Sequence, residues 1–186
     1  MQTHLTAELL LHLARLARSD DTVDGLTPAQ WTVLRFFARA NRMTRTPSAF
    51  AEFHGTTRGT ASQTIKALLA KDYLARTRSP RDGRSVSFDL TQAGWTRLRD
   101  DPLSVVMAAI DDLPAETQAT LHSAIMALTQ NVAQRRHAAC FGTCPSCAHF
   151  GSSQHKETSM HCGFLEAPLE RDDLNKLCIN FVPGGS

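Results

Sequence analysis

All five cysteines of this 186-residue chain fall after residue 139, at Cys140, Cys144, Cys147, Cys162 and Cys178. Thiolates are soft, polarisable donors, and a group of them suits zinc or an iron–sulfur cluster. Cys144-Pro145-Ser146-Cys147 is a knuckle able to present two thiolates to one centre, and Cys162 and Cys178 complete a set of four. Cys140 is the spare, at the edge of the segment, and is the substitute should Cys144 not ligate. His149 and His161 are near enough in sequence to stand in for a cysteine. A zinc ribbon normally offers two Cys-x-x-Cys knuckles. Here there is one, with two lone cysteines at long gaps, a spacing that iron–sulfur clusters accept more readily. The expected cofactor is therefore an iron–sulfur cluster, with zinc as the alternative. The same knuckle has the spacing of a thiol-disulfide redox pair. That chemistry uses a cysteine at a helix start within a βαβ unit, and no such unit precedes it.

From Cys140 onward the chain has little helical periodicity and carries three basic residues against five acidic ones, a local charge of −2. It has too few apolar residues for a core of its own, so a metal staple is what would order it. Phe141, Phe150, Phe164, Ile179 and Phe181 flank the cysteines and would seal such a centre from water.

A second constellation lies upstream. Thr57 reads as the N-cap of a helix running to Lys71, with Ala61, Ile65 and Leu68 on its apolar face. Its other face carries Thr60, Gln63 and Lys66, with Arg58 at the entrance and no acid. Such a face can meet base edges with Thr and Gln and phosphates with Arg and Lys. A short helix from Thr46 to Phe53 precedes it, joined by a turn at His54-Gly55-Thr56. After it, the stretch from Tyr73 to Arg78 and the alternating stretch Val86, Phe88, Leu90 read as a hairpin around Asp82-Gly83. Its tip holds Arg78, Arg81 and Arg84, which repel one another unless a phosphate backbone or a narrow minor groove is near. From Arg35 to Arg84 there are eleven Lys/Arg and three acids, a local charge of +8 in a chain whose total is +2. Helix, turn, helix and hairpin together predict a winged helix-turn-helix that binds double-stranded DNA.

The flanks predict further helices. Leu5, Leu9, Leu13 and Leu16 share one face of a first helix, broader than a small domain needs. Thr27-Pro28 opens a second helix, with Trp31, Leu34 and Phe37 or Ala38 inward. Thr91 opens a long helix that Pro102 should kink or interrupt. Leu113-Pro114 starts another, with Leu121, Ile125, Leu128 and Val132 apolar. The fold class expected is mainly α with a small β-hairpin wing. The expected units are 1–25, an N-terminal dimerisation helix; 26–94, the winged helix; 95–137, C-terminal dimerisation helices; and 138–186, a small Cys-rich metal module.

Leu26-Thr27-Pro28-Ala29-Gln30-Trp31, the run Lys66 to Leu74, and Asp82-Gly83-Arg84 followed by Asp89-Leu90-Thr91-Gln92-Ala93-Gly94 resemble the MarR family of bacterial transcriptional regulators. One departure is Asp72, where the family usually has Gly; Asp tolerates the left-handed conformation better than most residues. The resemblance covers roughly residues 1–137 and stops short of the cysteines. It implies a homodimer interlocked by its first and last helices, reading a pseudo-palindromic operator. It also implies a small-molecule effector between the DNA-binding and dimer regions, although no residue here identifies one.

Paired carboxylates on a recognisable scaffold, a phosphate-cradling glycine loop and a Ser/His/Asp signature are all missing, so an enzyme is not expected. A thiol-disulfide oxidoreductase is the one activity the cysteines allow. A protein-binding adaptor built on the winged helix is the other competing class. No run reaches the ~20 apolar residues of a membrane span, and the N-terminus lacks a leader pattern, so the expected location is cytoplasmic.

Overall fold

The computed structural model describes residues 2–17, 25–78, 86–151 and 160–184. Its core begins with α2 (Pro28–Arg39). Thr27 caps this helix through a reciprocal box: its hydroxyl accepts from the Gln30 N–H, and the Gln30 side chain accepts from the Thr27 N–H. The helix buries Trp31, Val33, Leu34, Phe36 and Phe37. Thr46 caps α3 (Pro47–His54), and Gly55 ends it at φ 62. Thr57 caps α4 (Arg58–Ala70), whose Ala61, Ile65 and Leu68 are buried. The Phe36 ring stands edge-on to Phe37 at 5.2 Å and to Phe50 at 5.4 Å, which locks α2 against α3. Each large side chain buried in this way contributes about 1.5–3 kcal/mol.

The chain leaves α4 through Asp72 at φ 58, the left-handed conformation that the sequence assigned to it. β1 (Leu74–Arg78) then pairs antiparallel with β2 (Val86–Leu90), from Leu74 opposite Leu90 to Arg78 opposite Val86. Leu74 and Phe88 face the core. The architecture is a winged helix-turn-helix in a mostly helical chain. Gly94 explains the end of the Asp89–Gly94 motif. A Cβ there would lie 2.2 Å from the Tyr73 carbonyl oxygen, so only glycine lets α5 (Gln92–Arg97) start against the hairpin's entry.

The helix opened by Thr91 is interrupted, as Pro102 requires. A 3-10 turn over Leu98–Asp100 follows α5, and α6 (Ser104–Asp111) starts afresh. Buried Asp101 holds the break: its carboxylate accepts from Arg35 at 2.8 Å and from the Leu103 N–H at 2.9 Å. α7 (Ala115–Arg135) runs on to a left-handed His137. α1 (Gln2–Leu16) and α6 bury no residue, and α7 buries only Ala133. Leu5, Leu9 and Leu16 on α1, Val105 on α6, and Ile125, Leu128 and Val132 on α7 are all exposed. Among the described residues, no helix is long and apolar enough to cross a membrane.

Beyond α7 the chain folds into short pieces. They are a 3-10 turn over Cys144–Ser146, the two-residue pair β3 (His161–Cys162) and β4 (Ala167–Pro168), and α8 (Arg171–Leu174). The structure seats this module on the winged helix, and the physical reason is the shortage of apolar residues noted above. Phe141 stands edge-on to Phe53 of α3 at 4.7 Å, and Ile179 packs on the winged-helix core. The module thus borrows a core that it lacks.

Candidate nucleic-acid interface and thiol cluster

α4 presents the face expected of a groove-reading helix. Thr57, Arg58, Thr60, Gln63 and Lys66 are all exposed, opposite the buried Ala61-Ile65-Leu68 stripe. Thr57 is engaged locally: its hydroxyl accepts from the Thr60 N–H at 3.1 Å and lies 2.9 Å from the Thr60 hydroxyl. Arg78 is the last residue of β1. Arg81 and Arg84 lie outside the described residues. The wing is fixed at its base by Asp89 of β2, whose carboxylate pairs with Arg45 and accepts from the Thr77 hydroxyl at 3.1 Å.

The second site is built from three separate pieces of chain. The knuckle is a tight turn closed by the Cys147 N–H on the Cys144 carbonyl at 3.0 Å. Cys162 on β3 is bridged to Phe150, and Cys178 is bridged to Gly142. Gly142 admits the Phe181 ring where a Cβ would clash at 2.5 Å. These pairings bring Cys144, Cys147, Cys162 and Cys178 around one cavity of about 10 Å³, the space of roughly a single water. Burial pushes the Cys144 thiol up to about 11, helped by the charges of Cys162, Cys147 and Asp173. Burial likewise pushes Cys178 up to about 11, with Cys144, Cys162 and Cys147 adding to it. Two buried thiols, Cys144 and Cys178, pushed up by burial and by the neighbouring sulfurs, mark a site short of positive charge. Among the described residues, however, no three His, Cys, Asp or Glu side chains are already drawn together so as to hold a metal ion. The thiols encircle a space more than they converge on a point. The donor set fits a thiolate-bound centre, which would depend on Cys144, Cys147, Cys162 and Cys178. His149 also borders the cavity, whereas His161 does not. Cys140 borders a different groove, against Ala127, Gln130, Asn131 and Gln134 of α7.

A third feature is a cavity of about 420 Å³ between α1, α2 and the α6 approach, lined by Ala14, Trp31, Thr32, Arg35, His54 and Leu103.

Sequence reasoning missed the residues that join the two sites. Asn41, Arg42, Asp173 and Leu177 form the seam between module and winged helix. The available signal was the opposition of charge, +8 in one segment and −2 in the other.

Residues 24–85 match the family model described as the MarR family. A MarR/EmrR family transcriptional regulator from Acinetobacter sp. ADP1 has a similar structure, with a TM-score of 0.55 at 18% identity over 72% of this chain and 97% of that one. A point mutant of S. aureus MepR gives 0.51 at 16%, over 71% of this chain and 98% of that one. A structure described as a MarR family transcription regulator gives 0.51 at 18%, over 73% and 91%. At such identities the likeness establishes the fold, a winged helix of the MarR type. No curated protein matches the chain. The family match ends at residue 85, so every cysteine lies beyond it.

Proposed function

We propose that this chain is a MarR-like transcriptional regulator that binds double-stranded DNA as a homodimer and is not an enzyme. The observation that carries this reading is the acid-free, exposed face of α4, set in a +8 segment that matches the family model. In this reading Thr60 and Gln63 meet base edges, Arg58 and Lys66 meet phosphate, and the arginines Arg78, Arg81 and Arg84 flank the groove. The exposed apolar faces of α1, α6 and α7 cover one another between subunits. That places two copies of α4 on a pseudo-palindromic operator.

The four-cysteine module holds a thiolate-bound iron–sulfur cluster in this reading. One observation supports a cluster: the lone knuckle, with the other two cysteines at long gaps. Such a centre would supply sensitivity to oxidation, nitric oxide or iron supply. The thiols' part is to tie three separate pieces of chain together. Zinc is the second reading, favoured by the small room between the sulfurs, which suits a single ion. In that case the module is a structural clip, and the signal is a small molecule, for which the cavity beside Trp31 and Arg35 offers a space.

Anaerobic purification followed by metal, sulfide and absorbance measurement separates these. Iron with sulfide and broad absorption at about 400 nm is expected for a cluster. A colourless zinc protein ends the cluster reading. Titration against random-sequence duplex at two salt concentrations tests the regulator reading; salt-independent or absent binding ends it.

A further inference from the structure

The seam between the thiol module and the winged helix joins the two candidate sites. We infer that Arg42 and Asp173 are a positioning pair through which the state of the four-thiol centre sets the pose of the DNA-binding wing; this rests on reading the thiols as a metal centre.

The geometry runs in an unbroken line. Cys144 Sγ lies 3.9 Å from the Asp173 carbonyl oxygen. The Asp173 carboxylate, 3% exposed, accepts from Arg42 Nε at 2.6 Å and from the Arg42 backbone N–H at 3.3 Å. The same guanidinium reaches Glu170 at 2.6 Å and the Pro168 carbonyl at 3.2 Å. One arginine of the winged helix therefore grips both β4 and the α8 region of the module. Beside it, Leu177 makes backbone bonds both ways. Its N–H donates to the Arg39 carbonyl at 2.8 Å, and its carbonyl accepts from the Asn41 N–H at 2.7 Å. Leu177 adjoins Cys178, so two of the four thiols sit within one residue or one contact of the seam.

The other end of the gripped segment is the wing's mooring. Arg45 pairs with Asp89, and its carbonyl accepts from the Phe88 N–H and the Ser87 hydroxyl, each at 3.0 Å. Residues 40 to 45 are thus held by the module on one side and hold the wing on the other. This segment also leads directly into α3, the first helix of the helix-turn-helix. A module without its metal has little apolar material to keep Asp173 and Leu177 in place. Their withdrawal leaves buried Asn41 short of a partner and frees the Arg42-to-Arg45 turn. The loaded state pre-organises the wing and binds DNA more tightly.

The test uses full-length protein, loaded and chelator-stripped, with a duplex selected from a randomised library by the loaded form. Wild type should lose about tenfold in affinity on stripping, with faster amide exchange at Asn41 and Phe88 but not in α4. Arg42→Gln and Asp173→Asn should keep the wild-type metal content and absorption spectrum. Their loaded-to-stripped affinity ratio should fall to about one, and their Phe88 amide should exchange fast even when loaded. Comparing ratios removes any direct effect of the Arg42 charge on DNA. Should Asp173→Asn unfold the module, the half-exposed Arg42→Gln decides the matter alone. Variants that keep the wild-type ratio, or a wild type that carries metal yet shows equal exchange in both states, overturn the coupling and leave the regulator reading standing. A wild type that takes up no metal overturns the metal reading and this coupling with it.

Discussion

Cys147 and Cys140 are both half-buried thiols, yet they face different surroundings. Cys147 borders the cavity shared with three other sulfurs, and Cys140 borders a groove floored by α7 amides. Cys147→Ser should therefore abolish stoichiometric metal, and Cys140→Ser should leave it intact, as read by elemental analysis of purified protein. The reverse result would reassign the ligand set. In the proposed DNA-binding reading, Lys66 of α4 meets phosphate and Gln63 a base edge. Lys66→Ala should weaken binding to all duplexes and reduce the salt slope by about one, whereas Gln63→Ala should cost about 1–3 kcal/mol on the preferred sequence only. Equal losses on both kinds of DNA would remove Gln63 from the base-reading role. Single residues were legible where their reason was local. Thr57 as a cap and Asp72 as a left-handed residue follow from their immediate neighbours. Asp173 was not legible, because its partner Arg42 is 131 residues away and one aspartate in an acidic run looks like solvated surface.

At the scale of elements, the hairpin and α5 meet through a contact that tolerates no side chain. Gly94→Ala puts a methyl group into the Tyr73 carbonyl, where backbone, not a flexible side chain, must yield. The expected cost is about 1–3 kcal/mol of folding stability, with a lower thermal midpoint and weakened DNA binding. A variant as stable as wild type would mean that α5 shifts freely against the wing. The elements of the winged helix were readable because caps, turn residues and alternation repeat the same message at short range. The break before α6 was readable from Pro102. The seating of the cysteine module was not, since its contacts are backbone bonds, two ion pairs of Arg42 and a ring contact made across distant segments. Periodicity carries no information about such contacts.

Among the described residues of the whole molecule, α1, α6 and α7 leave apolar faces in the open. Leu9 is 57% exposed and Leu128 44% exposed, values that ask for a cover. Leu9→Asp with Leu128→Asp should convert a dimer to a monomer in sedimentation at micromolar concentration, and DNA affinity should fall with it. A wild-type monomer that still binds DNA tightly would contradict the proposed arrangement. The surplus of apolar helix was visible in the leucine spacing, but which faces remain uncovered required the fold.

The Asn41–Asp173 contact spans 132 positions of chain. On a ribosome, α2 to β2 emerge and can collapse while the segment around Asp173 and Leu177 that completes their flank is still unmade. The nascent winged helix waits with its Asn41 edge open until Asp173 and Leu177 arrive. A chain interrupted after α7 is then an unfinished winged helix, open to mispairing, and not the same domain with an appendage removed.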